Sequence, residues 1–273
     1  MKEIVTRAIF GLIYIVLLIG SLYNEHALAV LFFVFGIISI AEFKKLIEFH
    51  AFYPFAIFIL IYFGFGYWHM FSPELKGFHE ATQILLVLSI FVNLFLIKDL
   101  FSKKGIPVYK FKRFLLTSFY LSSSFIFFLL IARFGNEYNP SILLGSFILV
   151  WVNDTFAFLV GKNFGRQKLF EKISPKKTVE GFIGGLFFAC IASYFIATFT
   201  HSLNFTQWLI LAIIVSVFGT LGDLVESKFK RQVNVKDSGV IMPGHGGLMD
   251  RLDSIIFAAP FIYLFLRLID YVS

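Results

Sequence analysis

The chain has 273 residues, of which 58% are hydrophobic and only 15% charged, and its formal net charge is +7. A water-soluble domain carries about a quarter charged residues, so this composition excludes an ordinary soluble fold and predicts an all-α polytopic membrane protein. The lone cysteine, Cys190, excludes an intrachain disulfide and a cysteine-based metal cluster.

A helix that crosses a bilayer needs about twenty mostly apolar residues. Nine such runs are predicted, at roughly 8–22, 27–43, 52–71, 81–97, 114–132, 141–160, 181–200, 206–225 and 254–271. The first, second and fourth are short or weakly bounded. Residues 1–7, the run after them and Ala27-Leu28-Ala29 also resemble a cleavable signal peptide. Glu25 and His26 crowd that cleavage site and another apolar run follows at once, so a retained first helix is expected. Gly181 and Gly185 stand four apart in the seventh run, a spacing expected to serve helix packing.

The basic residues set an orientation. With the N-terminus in the cytoplasm and nine crossings, 21 of the 24 lysines and arginines fall on the cytoplasmic side and only Lys76, Arg133 and Arg267 outside. This positive-inside bias also accounts for the net charge, because basic loops suit an anionic leaflet. No nucleic-acid partner is expected. The polar content divides the chain into an N-terminal transmembrane scaffold, 1–135, and a C-terminal catalytic transmembrane domain, 136–273.

Four constellations carry potential chemistry. Asp154 lies eight residues before Lys162, about 12 Å inside the end of its helix, where an ionisable group is costly and is a functional candidate by default. In Ser174-Pro-Lys176-Lys177-Thr178, Ser174 and Pro175 read as the cap and first residue of a helix. Two ammonium groups beside a helix start favour a phosphate. In the eighth run, Asp223, Glu226 and Ser227 fall on one helical face; a surface pair between Glu226 and Lys230 is the plain alternative for the glutamate.

The fourth constellation is a polar island, Ser227–Asp253, with five basic residues, three aspartates, a histidine and four glycines. Its glycines permit close backbone approach to a ligand. Asp250 and Asp253 are three apart near the last helix, which Asp253 could cap. Carboxylates among lysines and arginines point to a hard dication bridging phosphates. Mg²⁺ takes one or two carboxylates plus phosphate oxygens, and a second cation could help clamp the reacting oxygens. The island's single histidine, His245, and the lone Cys190 of the chain argue against zinc.

The island resembles the signature of phosphatidate cytidylyltransferases, also called CDP-diacylglycerol synthases. The match falls on Ser227, Lys230, Arg231, Lys236, Asp237, Gly239, Pro243, His245, Gly246, Gly247, Asp250, Arg251 and Asp253. Met242 stands where that family more usually has Leu, Ile or Phe, an apolar exchange. Asp154 and Ser174–Gly181 resemble family elements too; the first half of the chain resembles the family in hydropathy alone. The resemblance implies that CTP and phosphatidic acid give CDP-diacylglycerol and pyrophosphate, with Mg²⁺. The enzyme would be a homodimer in the plasma membrane, with its site facing the cytoplasm. Asp223 and Asp250 are expected to bind the metal, with Asp154, Lys230 and Arg231 also catalytic. Ser174, Lys176, Lys177, Thr178, Ser227, Lys236, Asp237, His245, Gly246, Gly247, Arg251 and Asp253 are expected to bind substrate. Two other readings fit the composition: a CTP-dependent polyprenol or phytol kinase, and an anion or nucleotide transporter.

Overall fold

The computed structural model describes residues 2–67, 77–135, 137–244 and 246–272. His245, one of the expected pocket residues, lies outside the described residues, as does the end of the third predicted span. All nine predicted runs form helices. They are α1 (Lys2–Ser21), α2 (Glu25–Leu46), α3 (Tyr53–Ile61, continued by π-helical turns Tyr62–Tyr67), α4 (Phe78–Phe101), α5 (Lys110–Ala132), α6 (Ser141–Phe164), α7 (Val179–Thr200), α8 (Phe205–Gln232) and α9 (Met249–Val272). Seven of the described helices are long and apolar enough to cross a membrane; α1 and α3 are shorter. The second and fourth runs, weakly bounded in sequence, are full-length helices of 22 and 24 residues.

Local chemistry explains the helix ends. Asn24 caps α2, accepting from the backbone N–H of His26 at 2.8 Å and Ala27 at 3.2 Å. Glu25 occupies the first turn of α2 and Lys44 and Lys45 the last, so both termini carry the charge that complements the helix dipole.

The chain forms two compact units. The first comprises residues 1–130 with 229–252. Within it α5 is the most enclosed span, 83% buried, as expected of a helix apolar on every side. Phe125, Phe127 and Phe128 of α5 are fully buried. Phe128 meets Phe32 of α2 at a ring separation of 4.9 Å, and Phe43 sets its ring edge-on to Phe229 at 5.4 Å. Helix contacts in lipid gain by dispersion rather than by expelling water, which favours such interdigitated rings. The Tyr62 hydroxyl, otherwise costly to bury, donates to the Ala29 carbonyl at 2.7 Å.

The second unit comprises residues 131–228 with 253–273. Its centre is the pair α6 and α7. A Cβ on Gly181 would come within 2.7 Å of the Ala157 carbonyl oxygen, and one on Gly185 within 2.6 Å of the Asn153 carbonyl oxygen. The expected packing role of this glycine pair is therefore met. Fully buried Trp208 lies over Gly145.

The link from α6 to α7 departs from expectation. Lys168–Phe170 and Ser174–Thr178 form an antiparallel ribbon, β1 and β2. Ser174-Pro175 is thus not a helix start: the cap of α7 is Thr178, whose hydroxyl accepts from the Gly181 N–H at 3.1 Å. Proline pushes the residue before it towards extended backbone, and Thr178 offers a cap that a ribbon can precede. Glu180 then ties the ribbon down, accepting from the N–H groups of Arg166 and Gln167.

Candidate active site

In the first unit, the polar island closes around two carboxylates. Asp250, in the first turn of α9, receives the Lys230 ammonium at 2.6 Å. It also accepts from the Ser238 N–H at 3.1 and 2.9 Å and from the Gly247 N–H at 2.7 Å. The pair is sealed: the Lys230 side chain is 11% exposed and that of Asp250 is 5%. Three donors of the chain, with the Ser238 N–H shared between both oxygens, thus engage a carboxylate that has about four lone-pair sites. Gly246 has φ +87°, and a Cβ there would lie 2.7 Å from Asp250, so the loop needs glycine to bring its backbone to the acid.

The second carboxylate, Glu42, was not among the predicted residues. It is 1% exposed and accepts from the Met249 N–H at 2.8 Å, the Leu248 N–H at 3.2 Å and the Ser238 hydroxyl at 3.3 Å. Its neighbours Lys44 and Lys45 make it read as one more border charge. The signal was its position, one residue before Phe43 inside an apolar run, where an acid is costly unless partnered.

In the second unit, three helices contribute negative charge around one ammonium. β2 presents Lys177, whose Nζ lies 2.5 Å from Asp223 Oδ2 of α8. The Ser227 hydroxyl, one turn on, donates to Asp223 Oδ1 at 3.1 Å. The negative charges of Asp154 on α6 and Asp253 on α9 act on the same ammonium. Burial disfavours the charged lysine, yet Asp223, then Asp154 and Asp253, outweigh it and hold the Lys177 pKa above its ordinary value. This pair is more open, with side chains 27% and 30% exposed. Asp154 itself is exposed and accepts from the Asn153 amide at 3.3 Å.

The remaining predicted residues divide by exposure. Lys176, Arg231, Lys236, Asp237 and Arg251 are exposed, while Thr178 is buried and Ser174 half-buried. Arg231 donates to the Val235 carbonyl at 3.2 Å. Two readings are corrected. Glu226 is fully buried rather than half of a surface pair, and Lys230 is held by Asp250. Asp253 is not a cap, because α9 begins four residues earlier at Met249; the backbone N–H groups at that start are taken by Glu42 and Asp250.

The donor chemistry suits a hard cation in the second unit. Carboxylate oxygens are the ligands Mg²⁺ prefers, and it completes its shell with water and phosphate oxygens. Among the described residues no group of three or more His, Cys, Asp or Glu is close enough to cage a metal. Asp223 is the acid whose surroundings fit best: partly open, beside an ammonium that already occupies a cationic position. Two cavities, of about 370 and 470 Å³, lie in the first unit, lined by residues such as Lys98 and Tyr109 and by residues such as Lys45 and His50. Neither is lined by a predicted site residue.

Comparison with known proteins bears on these constellations. A phosphatidate cytidylyltransferase of Bacillus subtilis (strain 168) is 36% identical over 209 residues, covering 74% of this chain and 76% of that protein. One of Staphylococcus aureus (strain COL) is 46% identical over 149 residues, 54% of this chain and 55% of that protein. One of Staphylococcus saprophyticus is 49% identical over 126 residues, 45% of this chain and 48% of that protein. The chain thus spans about half the length of the staphylococcal relatives it matches. The profile of the Cytidylyltransferase family matches residues 5–269, nearly the whole sequence, and the chain belongs to that family.

Proposed function

We propose that the protein is a phosphatidate cytidylyltransferase of phospholipid biosynthesis. A phosphate oxygen of phosphatidic acid attacks the α-phosphorus of CTP. The bond from that phosphorus to the bridging oxygen breaks, and pyrophosphate leaves as CDP-diacylglycerol forms. The observation that carries this reading is the Ser227–Asp253 run, which resembles the signature at every position named above except Met242 and in which Lys230 pairs with Asp250.

The attacking phosphate is already ionised near neutral pH, so the chain must supply placement and charge neutralisation more than a general base. Lys177, in the more open pair, would lie beside a phosphate group, and the exposed Lys176, Arg231, Lys236 and Arg251 would gather the triphosphate from water; a catalytic role for Lys230 rests on the sequence pattern. Mg²⁺, when bound, would neutralise charge on the phosphates and leaving group. Asp223 is the ligand its surroundings support; the assignment of Asp250 as a second ligand rests on the sequence pattern. A cytoplasmic site at the plasma membrane fits the basic-residue bias, since CTP arrives from water and phosphatidic acid from the leaflet. A homodimer is implied by the resemblance alone.

The test is pyrophosphate release by purified protein in detergent, with and without phosphatidic acid, comparing CTP with ATP, GTP and UTP. Release that needs both CTP and the lipid, with a CDP-lipid product, is expected. Formation of CDP and a phosphorylated lipid would overturn the reading in favour of a kinase. Nucleotide movement across vesicles without chemical change would overturn it in favour of a transporter.

A further inference from the structure

Glu42 holds a place that packing alone does not explain. It is a carboxylate at the end of a membrane-spanning helix, 1% exposed, and its contacts lie about 200 residues away in sequence. It takes two successive backbone N–H groups at the start of α9, Leu248 and Met249, and the hydroxyl of Ser238. Those segments also serve Asp250. Ser238 gives its N–H to Asp250 and its hydroxyl to Glu42, and Gly247 donates to Asp250 while its own Cα faces Glu42. A Cβ on Gly247 would come within 2.6 Å of Glu42 Oε2, which leaves no room for any other residue there.

The lone pairs of Glu42 are thus directed at donors of the chain itself, so it is poorly placed to be a metal ligand. We propose that Glu42 is a positioning residue: by anchoring Ser238 and the Leu248–Met249 turn, it fixes where Asp250 and its partner Lys230 present their charges. The inference rests on the transferase reading above, because it assigns Glu42 a role in that reaction. A residue acting through its neighbours in this way typically changes activity by about tenfold to a hundredfold.

The experiment compares wild type, Glu42→Gln, Glu42→Asp and Ser238→Ala, all purified in detergent. Glu42→Gln keeps the length but turns an N–H donor towards N–H donors. Its kcat is expected to fall about tenfold to a hundredfold, with the KM for CTP changed less than about threefold. Amide hydrogen exchange at Leu248 and Met249 should accelerate while that of α5 stays slow. Glu42→Asp keeps the charge and should recover part of kcat. Ser238→Ala removes one donor and leaves the backbone N–H to Asp250, so it should lower kcat by a smaller factor in a chain that still folds. Wild-type kcat in both Glu42→Gln and Ser238→Ala would overturn the proposal. So would unchanged exchange at Leu248 and Met249, or a lower melting temperature with kcat intact. If wild type makes no CDP-lipid, the transferase reading fails, and the exchange measurement still decides whether Glu42 anchors the turn.

Discussion

Each unit contributes one lysine–aspartate pair to the candidate site residues, and the two are built differently. Lys230–Asp250 is sealed, with both oxygens of the acid engaged by donors of the chain. Lys177–Asp223 is about a quarter to a third exposed, with the Ser227 hydroxyl donating to the acid and Asp154 and Asp253 acting on the ammonium. The same two residue types thus make a fixed joint in one place and an exchangeable contact in the other. Burial sets the difference. Removing one member of a buried pair strands a charge at a cost of about 3–5 kcal/mol, whereas an exposed pair contributes about 0–1 kcal/mol.

Substitutions can break this contrast. The largest effect is expected from Asp223→Asn, which should reduce CDP-lipid formation on the order of 10³-fold while the protein stays monodisperse in detergent. Near-normal turnover in that variant would sink the assignment of Asp223 as the principal acid. Next comes Lys230→Met, which leaves Asp250 buried without its cation. It should destabilise the fold by about 3–5 kcal/mol, read as a lowered midpoint in thermal unfolding. Lys177→Met should lower that midpoint less than Lys230→Met does, because its pair is the more open to water. Equal shifts for the two lysines would remove the contrast.

Smaller effects sharpen it. Thr178→Ala removes the cap of α7 and should cost about 1 kcal/mol, with the damage confined to the ribbon and first turn of that helix in hydrogen exchange. The pH response is smaller still. The folded pKa of Lys177 is raised above its ordinary 10.5, so the native state holds its proton more tightly than the unfolded chain. The stability this adds is fully present below pH 10.5 and is lost only as pH rises through the folded value. Between pH 6 and 9, melting temperatures of wild type and Lys177→Met should therefore run parallel. Curves that converge across that range would contradict the raised value.

Much of the architecture was legible because lipid imposes one simple rule: backbone polar groups must be satisfied within the segment. Long apolar runs therefore had to be helices, and all nine are. The start of α9 was hidden because its first turn, Met249–Asp253, is polar, whereas apolar residues mark a membrane-spanning run. The ribbon was hidden because Ser174-Pro175 suits a helix start and an extended strand alike, and pairing with Lys168–Phe170 decides between them. In the candidate site, Asp223 stood out because it ends a deep apolar run, and Asp250 and Lys230 because they lie in the polar island that resembles a family signature. Glu42 did not, because its partners are backbone N–H groups, which every residue but proline carries and which no sequence pattern marks.

The Glu42 contacts also set an order of events during synthesis. The donor at Met249 lies 207 residues after Glu42. At about 5–20 residues per second, roughly 10–40 s pass between the translation of the two. Through that interval α2 carries a carboxylate whose final partners do not yet exist, beside a membrane that penalises it. The first unit is therefore completed by a segment made 207 residues after Glu42, and a nascent chain arrested before Met249 should hold α2 loosely enough for proteases to reach it.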